Sequence, residues 1–194
     1  MTTDRVTAVV LAGGRSVRFG RDKLAEPVDG RSLLEHAIEG VRTVAGEVIV
    51  VAAPGAHPIV PTGVVVVRDT VAYEGPLAGL LVGLRTAHGP IVVVAGGDMP
   101  GLVPAVIASM VAALDAPEVQ AVLLESDGRT PPLPMVVRRT AATAVAAQLV
   151  GAGVRRLGAL TDDLATWIVG EADWRALDPD AATLRDIDSP ADLG

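Results

Sequence analysis

The chain has 194 residues and a formal net charge of −7, and half of its residues are hydrophobic while only 2% are aromatic. That length suffices for one domain with a full core, and a core of Val, Ala and Leu suits helices packed closely on a parallel sheet. The acidic balance argues against nonspecific nucleic-acid binding, and the absence of cysteine excludes disulfides and thiolate metal sites.

Mean hydropathy is +0.46, yet no apolar run reaches the ~18 residues that span a bilayer. Met1-Thr2-Thr3-Asp4-Arg5 has no cationic stretch leading into a long apolar segment. The expectation is a cytoplasmic protein with no membrane partner and no nucleic-acid partner.

Val6–Leu11 is an apolar, β-branched run that predicts a buried strand, broken by Gly13-Gly14. Asp29-Gly30 signals a turn. Ser32 with Glu35 fits a capping box, and Leu33, Leu34, Ala37, Ile38 and Val41 follow at helical spacing. Strands are predicted at Val48–Ala52 and Val64–Val67. A helix through Leu77, Leu80, Leu81 and Leu84 is opened by Gly75-Pro76. Pro90–Ala95 is the most apolar strand and runs into Gly96-Gly97-Asp98-Met99-Pro100.

Val103–Leu114 reads as a helix with Pro104 in its first turn. Ala121–Leu124 is a strand, Ser126-Asp127-Gly128-Arg129 a turn, Met135–Val137 a short strand and Ala141–Val150 a helix. Late strands are expected at Trp167–Val169 and Leu184–Ile187, then a terminal helix from Ser189-Pro190 to Gly194. Alternating strands and helices predict a mainly parallel sheet covered on both faces, in which ligands bind beyond the carboxyl ends of the strands. No repeat, charge block or linker divides the chain.

Lys23 is the only lysine; the other fifteen basic residues are arginine. Lysine is a compact, movable charge, whereas arginine is a planar fork. Arg15, Arg18, Arg21 and Lys23 place four positive charges within nine residues after the Gly13-Gly14 turn. On an acidic chain, that cluster suits a small anionic ligand. The loop lacks the Gly-Lys-Ser/Thr of a phosphate-binding P-loop and the Gly-x-Gly-x-x-Gly of a dinucleotide site. Glycines there can adopt angles closed to other residues and let main-chain N–H groups approach phosphates or a base edge. Arg15 and Arg18 can reach triphosphate charge.

Asp98 follows the most apolar strand, where a hard oxygen ligand suits Mg²⁺; it can also cap the next helix. Asp69 ends another strand and can accept hydrogen bonds from a base or orient metal-bound water. Gly79 in an apolar helix suits either ligand approach or tight packing. Asp186 and Asp188 share a face if the segment is a strand. They can add a metal ligand or position an acceptor, or Asp188 or Ser189 can cap a helix. His36, His57 and His88 lack ligand spacing and read as surface residues. Trp167 and Trp174 read as core or rim.

The stretch from Leu11 to Lys23 resembles the Leu-Ala-Gly-Gly-x-Ser-x-Arg-hydrophobic-Gly-x-Asp-Lys signature of the molybdenum cofactor guanylyltransferase (MobA) family. Arg68-Asp69 with Gly75-Pro76-Leu77-Ala78-Gly79, Gly97-Asp98-Met99-Pro100, and Asp186-Ile187-Asp188-Ser189-Pro190 resemble it further. The resemblance implies one Rossmann-like, three-layer α/β/α nucleotidyltransferase domain over residues 1–194. It implies transfer of GMP from GTP to the terminal phosphate of molybdopterin, with release of pyrophosphate and Mg²⁺ as cofactor. Transient contact with cofactor-biosynthesis or molybdoenzyme partners is also implied.

By motif, Leu11, Ala12, Gly13, Gly14 and Arg15 would contact the nucleotide. Lys23 and Arg18 would stabilise phosphate charge, Asp69 would touch the nucleotide, and Asp98 would hold the metal. Asp186 and Asp188 would face the acceptor. Some members carry asparagine where this chain has Ala52-Ala53, and Asn-x-Asn where it has Asp186-Ile187-Asp188. A cytidylyltransferase on the same pterin is the close alternative; its loop resembles Leu-Ala-Ala-Gly, against Gly13 here. A noncatalytic nucleotide sensor on the same fold is the distant one. Intact Lys23 and Asp98 argue against it.

Overall fold

In the computed structural model, which describes residues 3–13, 23–68, 75–189 and 192, the first apolar run forms β1 (Val6–Ala12). A small hairpin follows, β2 (Pro27–Val28) and β3 (Arg31–Ser32). Asp29 and Gly30 both take positive φ in its turn, the geometry a two-residue hairpin requires. Helix α1 (Leu33–Arg42) starts with the expected capping box: Ser32 Oγ accepts from Glu35 N at 3.2 Å, and Glu35 Oε2 accepts from Ser32 N at 2.8 Å. Next come β4 (Glu47–Ala52), β5 (Val65–Arg68), α2 (Pro76–Thr86), β6 (Ile91–Gly96) and α3 (Pro104–Ala113). The chain continues through β7 (Ala121–Leu124), β8 (Met135–Arg138), α4 (Arg139–Gly151), α5 (Gly158–Asp162), β9 (Thr166–Val169) and α6 (Glu171–Arg175).

The main sheet has seven strands in the order β5-β4-β1-β6-β8-β7-β9. β8 alone runs against the others. The link from β7 to β8, residues 125–134, is shorter than the dozen or so residues that a crossover between parallel strands needs. Alternate residues of each buried strand face opposite layers. Ala8, Val10, Val48, Val50, Val93 and Ala95 pack against α1 and α3. Val9, Ile49, Val51, Val92 and Val94 pack against α2, α4 and α5. These two cores make the three-layer α/β/α architecture that the strand and helix pattern predicts.

One element differs from its expectation. Leu184–Ile187 is not a strand: Ala182–Leu184 forms a 3-10 turn, and the chain after it joins no ladder. The reason lies in the segment's own N–H groups: Leu184 N and Arg185 N donate back to Ala181 O and Ala182 O, and Ile187 N donates to Asp98 O, rather than to a neighbouring strand. The predicted helix from Ser189 lies mostly outside the described residues. No helix among the described residues is long and apolar enough to cross a membrane.

Candidate active site

β1 and β6 are adjacent, and their carboxyl ends are joined: Leu11 pairs with Gly96, and Gly97 N donates to Leu11 O at 3.0 Å. From β1 the chain builds outward through β4 and β5, then returns to place β6 on the other side of β1. This is the switch in strand order, beyond which α/β sheets bind ligands. Leu11, Ala12 and Gly13 border the crevice from β1, and Asp98 borders it from β6. Gly13 is exposed. It does not use a left-handed angle, and a Cβ there would meet Ala53 N at an ordinary 3.6 Å. Glycine at this position therefore leaves a backbone edge open; it does not relieve strain.

Lys23 is brought to Asp98 across this crevice. Its Nζ lies 2.8 Å from Asp98 Oδ2 and 3.0 Å from Asp188 Oδ1. Burial opposes the charged amine, but hydrogen bonds to Asp98 and Asp188 and their negative charges outweigh it, so the Lys23 pKa is raised. The Asp98 carboxylate folds back over Gly96, where a Cβ would collide with it. Asp98 is not a helix cap. α3 has Val103 as its N-cap and Pro104 after it, with no side-chain cap bond.

The segment after α6 supplies the third side of the crevice. Ile187 N donates to Asp98 O at 3.0 Å, and the Ile187 side chain is buried. This places Asp188 beside Lys23 and brings Asp186 near both carboxylates without a strand. Partial desolvation, then the charges of Asp188 and Asp98, raise the Asp186 pKa, while Lys23 pulls it down. The helix that Asp188 or Ser189 could cap lies mostly outside the described residues. Asp192 Oδ2 accepts from Asp188 N at 3.1 Å, Ser189 N at 2.7 Å and Ser189 Oγ at 2.8 Å. Asp188 keeps its carboxylate on Lys23.

Leu11, Ala12, Gly13, Lys23, Asp98, Asp186 and Asp188 thus meet at one mouth of the sheet. Gly14, Arg15, Arg18 and Asp69 lie outside the described residues. Arg68 turns away, with its Nε donating to Ala56 O at 3.2 Å. Trp174 is fully buried and donates to Glu125 O, whereas Trp167 is more than half exposed. His57 and His88 are exposed, as their spacing suggested. His36 is half-buried, with Nε2 against Val28 O at 2.8 Å. Among the described residues, no three or more His, Asp or Glu groups form a metal cage. The oxygens of Asp98 and Asp188 nonetheless converge on one cation, and Mg²⁺ needs only one or two protein carboxylates when phosphates complete its shell.

Residues 8–165 match the MobA-like NTP transferase domain family. The chain is 33% identical to the probable molybdenum cofactor guanylyltransferase of Chloroflexus aggregans, over 97% of this chain and 91% of that protein. It is also 33% identical to the molybdenum cofactor guanylyltransferase of Burkholderia vietnamiensis, over 81% of this chain and 82% of that one. The crystal structure of molybdopterin-guanine dinucleotide biosynthesis protein A from Archaeoglobus fulgidus superposes with a TM-score of 0.79 at 20% identity, covering 96% of this chain and 94% of that one. The chain therefore belongs to the MobA-like NTP transferases, in the molybdenum cofactor guanylyltransferase family.

Proposed function

We propose that the protein transfers GMP from GTP to the terminal phosphate of molybdopterin and releases pyrophosphate. The observation that carries this reading is the Lys23 ammonium held between Asp98 and Asp188 at the strand-order switch. An acceptor phosphate oxygen forms a bond to the α-phosphorus of GTP as the bond to the β-phosphate oxygen breaks. Both reacting groups are anions, so positioning and charge stabilisation dominate, and no strong base is needed.

Open backbone at Leu11, Ala12 and Gly13 faces the base and the nucleotide. Gly14 and Arg15 extend that surface, and Asp69 contacts the nucleotide. Lys23, with Arg18, offsets charge on the departing pyrophosphate. Asp186 and Asp188 face the acceptor. Asp98 is the residue that would hold Mg²⁺, which supplies neutralising charge across the phosphate oxygens when bound. The family resemblance supports these roles, and a cytoplasmic setting and transient contact with later cofactor-handling proteins go with the reading.

Pyrophosphate release with each of the four NTPs, with and without molybdopterin, tests the proposal. Molybdopterin-dependent release with GTP alone is the expected result. Release with CTP alone would make the protein a cytidylyltransferase, and no release with any NTP would leave a nucleotide sensor.

A further inference from the structure

Asp178 is nearly fully buried although it is a carboxylate, and the chemistry above makes no use of it. It is anchored to the core: Asp178 N donates to Trp174 O at 3.1 Å, and the Trp174 ring is completely enclosed. Its carboxylate gathers the next turn. Oδ1 accepts from Ala182 N at 3.1 Å, and Oδ2 accepts from Thr183 N at 2.8 Å. Thr183 Oγ1 in turn accepts from Val103 N at 3.1 Å, on the far end of the loop that carries Asp98. Gly101, within that loop, lies so close to the turn that a Cβ would sit 2.5 Å from Ala182 O. Four residues beyond Thr183, Ile187 N bonds to Asp98 O. Asp188 then meets Lys23.

We propose that Asp178 and Thr183 are positioning residues for the reaction. They clamp the segment 178–188 onto the 97–103 loop and thereby set the Asp188 carboxylate, and through it the Lys23 ammonium, against Asp98. The catalytic part of this inference rests on the proposed transferase function; the clamp itself does not. A carboxylate is apt here because it accepts two backbone N–H groups at once, and charge-assisted bonds of that kind are strong. The Thr183 hydroxyl is apt because its oxygen accepts from Val103 N and so ties the turn to the loop.

The test uses the full chain, nucleotide-free, with an N-hydroxysuccinimide acetate ester as probe. Lys23 is the only lysine, so its acetylation is read by peptide mass spectrometry, apart from the α-amino group. Thr183→Val removes the hydroxyl at nearly constant shape, and Thr183→Ser keeps it. Gly101→Ala pushes on the turn from the opposite side, against the Ala182 carbonyl, without removing a polar group. Folding is checked by thermal melting.

Lys23 acetylation should rise about tenfold in Thr183→Val and Gly101→Ala, the scale of a locally closed state losing one hydrogen bond. It should return to the wild-type rate in Thr183→Ser. In GMP transfer, kcat should fall on the order of tenfold, as small misplacements at a distance from the chemistry do. GTP affinity by calorimetry should be unchanged.

Unchanged acetylation in folded Thr183→Val and Gly101→Ala overturns the clamp, whatever the turnover. Raised acetylation with wild-type kcat overturns the positioning role. If Thr183→Val shows no cooperative melt, Gly101→Ala decides alone. If the wild-type protein transfers no GMP, the proposed function fails, and acetylation still decides the clamp.

Discussion

At the scale of single residues, the site turns on one ammonium shared by two carboxylates. Lys23 has three donors on a flexible stem and can follow a phosphate oxygen as it moves; a guanidinium fork cannot. Lys23→Arg keeps the charge and should lower kcat on the order of 10²-fold, comparable to removing a transition-state donor. Steady-state pyrophosphate release measures this, and near-normal turnover would remove the phosphate role. Asp98→Asn separates metal holding from packing. Asp98 caps no helix, and Asp188 remains to hold Lys23 at 3.0 Å. The melting temperature should therefore change little while Mg²⁺-dependent turnover collapses, with partial recovery at high Mg²⁺. An active Asp98→Asn enzyme at ordinary Mg²⁺ would move the metal site to Asp69, Asp186 or Asp188.

At the scale of elements, the opposite end of the sheet carries a polar tie between β1, β4 and the turn before β6. Thr7, fully buried, donates through Oγ1 to Glu47 Oε2 at 2.6 Å and accepts from Gly89 N at 3.0 Å. Glu47 also accepts from His88 N at 3.0 Å and meets His88 Nδ1 at 2.6 Å. Burial alone would raise the Glu47 pKa, but the bonds from Thr7 and His88 more than offset it, and the pKa is lowered below 4.5. A carboxyl depressed on folding stabilises the fold above its unfolded value and ceases to do so as pH falls through its folded one. Stability should therefore decline below about pH 4.5. Glu47→Gln should lower the melting temperature at pH 7 and narrow its gap to wild type as the pH falls from 5 to 3. A gap that stays constant over that range would show that Glu47 titrates alike in both states.

At the scale of the whole molecule, ligand binding at the mouth of β1 and β6 should stabilise the fold by mass action. GTP with Mg²⁺ at about 100 times its Kd adds ~2.7 kcal/mol, which for a chain of this size raises Tm by roughly 5–10 °C. CTP at the same concentration should give a clearly smaller shift, because the open backbone edge at Gly13 suits the larger purine. Equal shifts in a thermal melt would overturn the guanylyl preference. The acidic chain offers local rather than broad positive charge, so the stabilisation should come from small nucleotides.

Local chemistry is written directly in the order of residues. The β-branched runs that form β1, β4 and β6, the Ser32–Glu35 cap and the Asp29-Gly30 turn depend on neighbours a few positions apart, and sequence shows those neighbours. The Leu11–Lys23 motif likewise pointed to nucleotide chemistry by itself, and Lys23 stood out as the only lysine. Strand order, the reversal of β8 and the fate of Leu184–Ile187 depend on partners far along the chain. So do the meeting of Lys23 with Asp98 and Asp188, 165 residues from Lys23 to the latter, and the burial of Asp178. In sequence, Asp178-Pro179-Asp180 shows only a turn. Its carboxylate became a clamp because folding placed the Val103 N–H beside the Thr183 hydroxyl. A hydrogen bond between distant residues leaves no periodic signature in either segment, so tertiary structure alone decided which acid holds the lysine and which holds the chain.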